Sequence, residues 1–196
     1  MNSPAKKQPV GLSQGRRLLE LARATLEHRL GILAEVDRHG LDDESLQQPC
    51  GTFVTLKIND GLRGCIGNLE ADGSIVDSVE HNALHAAFHD HRFQPLTAEE
   101  LERVDIDISI LSTPERLKYL DYADLKARLR PLVDGVILRH GGKRATFLPQ
   151  VWSQLPEADS FLEHLCLKAG LPAAVLQREH LDIFTYQVQS FKENKR

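Results

Sequence analysis

Three cysteines, one methionine and one tryptophan are all that 196 residues contain of those types. Cys50, Cys65 and Cys166 are odd in number and include no Cys-x-x-Cys spacing, so neither a disulfide framework nor a zinc site is expected. No apolar run approaches the ~18 residues of a membrane span. Lys6 and Lys7 have no apolar segment behind them, so no signal peptide is readable. The chain is therefore expected in the reducing cytoplasm, away from membranes. Charge of one sign is scarce as well: 24 Lys+Arg against 28 Asp+Glu leave a net charge of −4. That balance lacks the Lys/Arg surplus of a sequence-blind nucleic-acid binder, although a local basic groove stays open. No glycine-rich phosphate loop follows a strand pattern, which removes nucleotide binding of the Rossmann or P-loop kind.

What is present suits a folded globular protein, with 41% hydrophobic and 27% charged residues. Residues 1–12 read as a loose leader. Ser13 is placed to cap a helix to about Leu33, with Leu18, Ala22, Leu26 and Leu30 on one face. Residues 38–49 read as an acidic loop with one short turn. From Cys50 to Gly67 the pattern is a β-hairpin: Phe53-Val-Thr-Leu-Lys-Ile58, a turn at Asp60-Gly61, and a return over Leu62 to Gly67. Ser74 starts a helix to about Asp90 with Ile75, Val79, Ala83, Ala86 and Ala87 inward, and Thr97 and Glu100 have capping-box spacing. Val104, Ile106, Ile108 and Ile110 alternate with polar residues, as in a strand with one buried face.

The second half repeats these types. Asp121 caps a helix to Arg130, and a hairpin turns at Gly141-Gly142. A loop with Pro149, Trp152 and Pro156 follows, then a helix from about Asp159 to Lys168 and one closing strand over His180 to Phe191. Residues 192–196 read as a solvated basic tail. The fold class is α+β, mainly antiparallel sheet packed with helices in a larger and a smaller lobe, with residues 13–191 as a single domain.

Leu62-Arg-Gly-Cys-Ile-Gly67 is the least ordinary stretch. Two glycines weaken a strand and call for a bulge or a close approach by backbone or ligand. Cys65 lies between them, and Arg63 is two positions away on the same face, a neighbour that favours a nucleophilic thiolate or holds an anion. The competing reading is an inert cysteine: an Asp60-Gly61 turn puts Cys65 opposite Leu56 on the core face, and a one-residue slip reverses that. Cys166 reads as core, and Cys50 gives no signal. His81, His85 and His89 have metal-compatible spacing but sit on the helix sector away from the apolar stripe, so a solvated face is expected rather than a metal site. Asn82 and Asp90 lie at the edges of the inward stripe and need partners. Arg92 and Phe93 either line a pocket or lock the helix end, and Gln150 follows an apolar strand, where ligands are often met.

Taken together, these stretches resemble the AMMECR-type domain family, whose prokaryotic members are called AmmeMemoRadiSam system protein A. The matching segments are Phe53-Val-Thr-Leu-Lys57, Leu62-Arg-Gly-Cys-Ile-Gly67, Ala86-Ala-Phe-His-Asp-His-Arg-Phe93 and Leu96-Thr-Ala-Glu-Glu-Leu101. Ile106-Asp-Ile-Ser-Ile-Leu-Ser112, Phe147-Leu-Pro-Gln-Val151 and Cys166-Leu-Lys-Ala-Gly-Leu-Pro172 continue in the family's order. The resemblance implies a two-lobed α+β fold. It also implies one cleft bordered by Arg63, Gly64, Cys65, Gly67, Asn82, Asp90, Arg92, Phe93 and Gln150, and partnership with a Memo-like protein and a radical SAM protein. It brings no established reaction and no cofactor. His91 departs from the more usual proline, and the loop after Gln150 departs from the family's tryptophan-containing loop. The expected function is a ligand-binding or adaptor component of that three-protein system, with an unknown small ligand. The alternative is a cysteine-dependent enzyme using Cys65 on an anionic or nucleotide/RNA-derived substrate. RNA binding through Arg63, Arg92, Arg144 and Lys168 is the third and weakest expectation.

Overall fold

The computed structural model describes residues 9–69 and 73–193. They fall into two compact units, one of residues 9–69, 73–111 and 189–193, the other of residues 112–188. Most of the leader and the end of the tail lie outside the described residues. Val10, however, is buried and bonded through both its backbone groups to the Gln189 amide, and Glu193 is firmly held, so neither segment is loose throughout.

Unit 1 begins with α1 (Leu12–Arg29), which buries Leu18, Leu21, Ala22 and Leu26. Its cap is Gly11 rather than Ser13: the Gln14 amide oxygen reaches back to the Gly11 N–H at 2.7 Å. After the short α2 (Glu44–Gln47) come β1 (Thr52–Ile58) and β2 (Gly61–Asn68). The helix α3 (Ile75–Phe88) follows, capped by the Ser74 hydroxyl, and carries the expected stripe on the core. The short α4 (Ala98–Leu101) opens with the full Thr97/Glu100 capping box, and β3 (Asp105–Leu111) alternates as the sequence predicts.

Unit 2 holds β4 (Glu115–Arg116), α5 (Tyr122–Arg128), and the hairpin of β5 (Gly135–His140) and β6 (Lys143–Phe147). A 3₁₀ helix (Pro149–Ser153) occupies the segment expected as loop, because Trp152 is buried against Phe161, with ring centroids 3.7 Å apart. The helices α6 (Ala158–Lys168) and α7 (Val175–Arg178) complete this core. Cys166 is fully buried there, and desolvation pushes its thiol up to about 11, as suits a core cysteine.

The closing strand is two strands. β7 (Asp182–Tyr186) pairs with β5 in unit 2, whereas β8 (Val188–Lys192) joins the other sheet. Gln187 lies between them, so one continuous alternating run serves two sheets. The sheets have strand orders β2-β1-β3-β8 and β4-β7-β5-β6. Glu193, just past β8, accepts two bonds from Arg23 of α1 at 2.7 and 2.6 Å and one from the Ile106 N–H at 2.9 Å. Replacing Glu193 with alanine should therefore destabilise unit 1 by about 2 kcal/mol, read by chemical denaturation.

Candidate functional site

The β1–β2 hairpin sets the site, and its register differs from the Asp60-Gly61 expectation. The turn is Asn59-Asp60, both with positive φ (51° and 62°), so Ile58 pairs with Gly61. That shift alone moves the pairing by two residues and would leave Cys65 on the core face, opposite Val54. A bulge reverses this. Lys57 pairs with Leu62 but Leu56 pairs with Gly64, so Arg63 is the extra residue and Cys65 comes to lie opposite Thr55. Cys65 is half-buried, on the sheet face away from the Val54 and Leu56 core. The expected core placement opposite Leu56 is thereby corrected.

Both glycines have structural reasons. Gly64 faces α3, and a Cβ there would sit 2.1 Å from the Ala86 carbonyl oxygen. A Cβ on Gly67 would meet the Thr52 carbonyl at 2.3 Å and the Phe53 ring at 2.4 Å. The close approaches are by backbone and ring, so these glycines are explained without a ligand.

Around Cys65 the contacts are specific. The Thr55 hydroxyl donates to Sγ at 3.2 Å. The Cys65 N–H donates to Asp90 Oδ2 at 2.9 Å, and its carbonyl accepts from Arg92 Nη2 at 3.3 Å. Arg92 also donates to Asp90 through Nε (2.8 Å) and Nη2 (2.6 Å). These Arg92 bonds, aided by the Cys65 N–H, hold the buried Asp90 carboxyl well below the usual carboxylate range. Arg63 turns away from the thiol. It makes a bidentate pair with Glu100, both bonds at 2.8 Å, and a bond to the Gln94 carbonyl at 2.9 Å. The Phe93 ring lies within 5.8 Å of the Arg63 guanidinium and 5.5 Å of that of Arg92. Both arginines are thus engaged by carboxylates.

Asn82 is buried and donates to the Thr52 hydroxyl (2.8 Å) and carbonyl (3.2 Å), joining α3 to β1. Its Oδ1 has no partner among the described residues. Gln150 belongs to unit 2, where its carbonyl accepts from the Ser153 hydroxyl. Arg144 and Lys168 are also in unit 2, and Lys168 is bonded to the Thr146 carbonyl. On α3 the His81 and His85 rings stack with centroids 4.0 Å apart, His89 just past the helix lies tilted against His85 at 4.8 Å, and partial burial and these two neighbours lower the His85 pKa. Among the described residues no cluster suited to a metal ion is found.

Sequence reasoning missed the rest of the face that carries Cys65. Phe53, Thr55 and Lys57 of β1 pair with Ser109, Asp107 and Asp105 of β3, all half-buried and directed away from the core. Lys57 Nζ donates to Asp107 Oδ2 at 2.6 Å, a bond that raises the lysine. The strict alternation of β1 and β3 carried this signal. One face lists Val54, Leu56, Ile106 and Ile108, so the other must present Phe53, Thr55, Lys57, Asp107 and Ser109.

No helix of the described residues is long and apolar enough to cross a membrane. The chain is 34% identical over 190 residues to a protein of Methanothermobacter thermautotrophicus, covering 96% of this chain and 99% of that one. It is 33% identical over 186 residues to a Methanocaldococcus jannaschii protein, covering 93% and 91%. The crystal structure of an uncharacterised protein from Pyrococcus horikoshii matches with a TM-score of 0.79 and 27% identity over 94% of each chain. The AMMECR1 family model matches residues 19–191, and the chain belongs to the AMMECR1 family.

Proposed function

We propose that this protein is a ligand-binding component acting in the cytoplasm with a Memo-like protein and a radical SAM protein, the partners its family resemblance implies. The observation that supports it is the outer face of the β2-β1-β3 sheet. There a ring (Phe53), a thiol (Cys65), two hydroxyls (Thr55, Ser109) and the Lys57–Asp107 pair lie side by side. Such a face offers stacking and directional hydrogen bonds. The two arginines near its edge are paired with Glu100 and Asp90, so each meets any anion with part of its charge already offset.

The second reading, a cysteine-dependent enzyme, is favoured by one contact: the Thr55 hydroxyl donates to Cys65 Sγ, a bond that fixes the sulfur's direction and favours its anionic form. One experiment separates the two. Cys65→Ser, Phe53→Ala and Lys57→Ala are expressed in a deletion strain and also titrated, as purified proteins, against the two partner proteins. The binding reading expects Cys65→Ser to complement, while Phe53→Ala and Lys57→Ala lose function by about tenfold or more, equivalent to 1.4 kcal/mol. Loss of all activity in Cys65→Ser with partner binding intact would support catalysis instead. Failure of the wild-type protein to bind either partner would sink the three-protein reading.

A further inference from the structure

We propose that residues 90–94 are an edge guard, closing the outer side of β2 against strand addition by a second copy of this chain. β2 ends its sheet, and a terminal strand presents unpaired N–H and C=O groups to any chain that approaches. In an antiparallel ladder every second residue directs both its backbone groups away from its neighbour. Cys65 is such a residue, because its N–H is met by Asp90 Oδ2 and its C=O by Arg92 Nη2. One acceptor and one donor therefore sit side by side where an added strand would offer its own C=O and N–H. The same segment is pinned farther along, where Arg63, projected by the bulge, donates to the Gln94 carbonyl.

The occupant excluded is a second β2. Antiparallel pairing of two β2 strands about Cys65 is self-complementary: each Cys65 gives its N–H to the other's C=O, so one contact satisfies both chains through the same patch. Leu62, 47% exposed on this strand, adds apolar surface to such a dimer. Unit 2 blocks its own edge strand in a related way, with Lys168 Nζ on the Thr146 carbonyl of β6 at 3.0 Å.

The test is sedimentation velocity of the full chain under reducing conditions over a wide concentration range, with circular dichroism as the check on folding. Asp90→Ala combined with Arg92→Ala is the principal variant, because the pairing needs both the Cys65 N–H, held by Asp90, and the Cys65 carbonyl, held by Arg92. Asp90→Ala alone, which frees the N–H and leaves only the 3.3 Å Arg92 bond to displace, is the second. Both should self-associate at least about tenfold more tightly than wild type. A lysine at the edge, with Leu62→Lys added to either, should restore the wild-type behaviour. Either variant folded and sedimenting as wild type would overturn the proposal. Association that persists undiminished with Leu62→Lys would overturn it equally, by placing the contact elsewhere.

Discussion

Gly64→Ala should destabilise unit 1 by about 3 kcal/mol, the upper range for forcing atoms into a packed interior. The added Cβ would meet the Ala86 carbonyl oxygen at 2.1 Å, and that oxygen belongs to the backbone of α3 rather than to a side chain that can rotate. Relief requires the helix to move off the hairpin, disturbing Val79, Ala83 and Ala86, which are all fully buried. Gly61→Ala is the control. Its Cβ would meet only the Ile58 carbonyl at 3.2 Å, and the cost should stay within about 1 kcal/mol. Denaturant unfolding of the two variants gives the comparison. A Gly64→Ala protein as stable as Gly61→Ala would mean that the glycine is kept for something other than the helix, and a ligand contact at that position would return. Gly67→Ala should fall between them, because part of its clash is with the Phe53 ring, which can swing aside.

Most elements were legible where a single local rule decides them. Ser74, Thr97 and Asp121 cap as their side chains suggest, and the alternation over Val104 to Ile110 marks both the strand and its buried face. The hairpin was legible as a hairpin but not in register. Asp-Gly is the stronger turn signal, yet the chain turns one residue earlier, and nothing in the sequence marks Arg63 as the bulged residue. That single extra residue decides the face of Cys65, so the character of the thiol was beyond local reading. β7 and β8 were fused for a related reason: alternation reports a half-buried strand but not which sheet buries it. At the site, Asp90, Arg92 and Phe93 do gather at β2 as their positions suggest, with Asp90 and Arg92 hydrogen-bonded to the Cys65 backbone. Thr55, Lys57 and Asp107 escaped notice because each is ordinary alone, and only strand pairing brings them beside Cys65.

Asp90→Ala should cost about 3 kcal/mol, because it removes a buried acceptor of four hydrogen bonds and leaves the Cys65 N–H without its partner. The carboxylate side chain is 2% exposed and accepts from Arg92 Nε, Nη2 and N–H and from the Cys65 N–H, so it ties the end of α3 to β2. Arg92→Ala should cost about 2 kcal/mol: it leaves the buried carboxylate without its counter-charge, but the backbone N–H groups of residues 65 and 92 still donate to it and water reaches the vacated, half-exposed position. The pH dependence follows from the depressed carboxyl. The unfolded chain takes up the Asp90 proton near the ordinary carboxylate value of about 3.9, the folded chain only at lower pH. Between the two the unfolded state binds more protons, so the contribution of Asp90 is full above about pH 4 and is lost as pH falls through the folded value. The gap in stability between wild type and Asp90→Ala, measured by denaturant unfolding, should therefore be constant from neutral pH down to about pH 5 and narrow below about pH 4. If the gap stays the same width at about pH 3, the Asp90 carboxyl is not charge-stabilised in the fold. If Arg92→Ala costs as much as Asp90→Ala, the ion pair, and not the hold of Asp90 on the Cys65 N–H, is what secures the edge of β2.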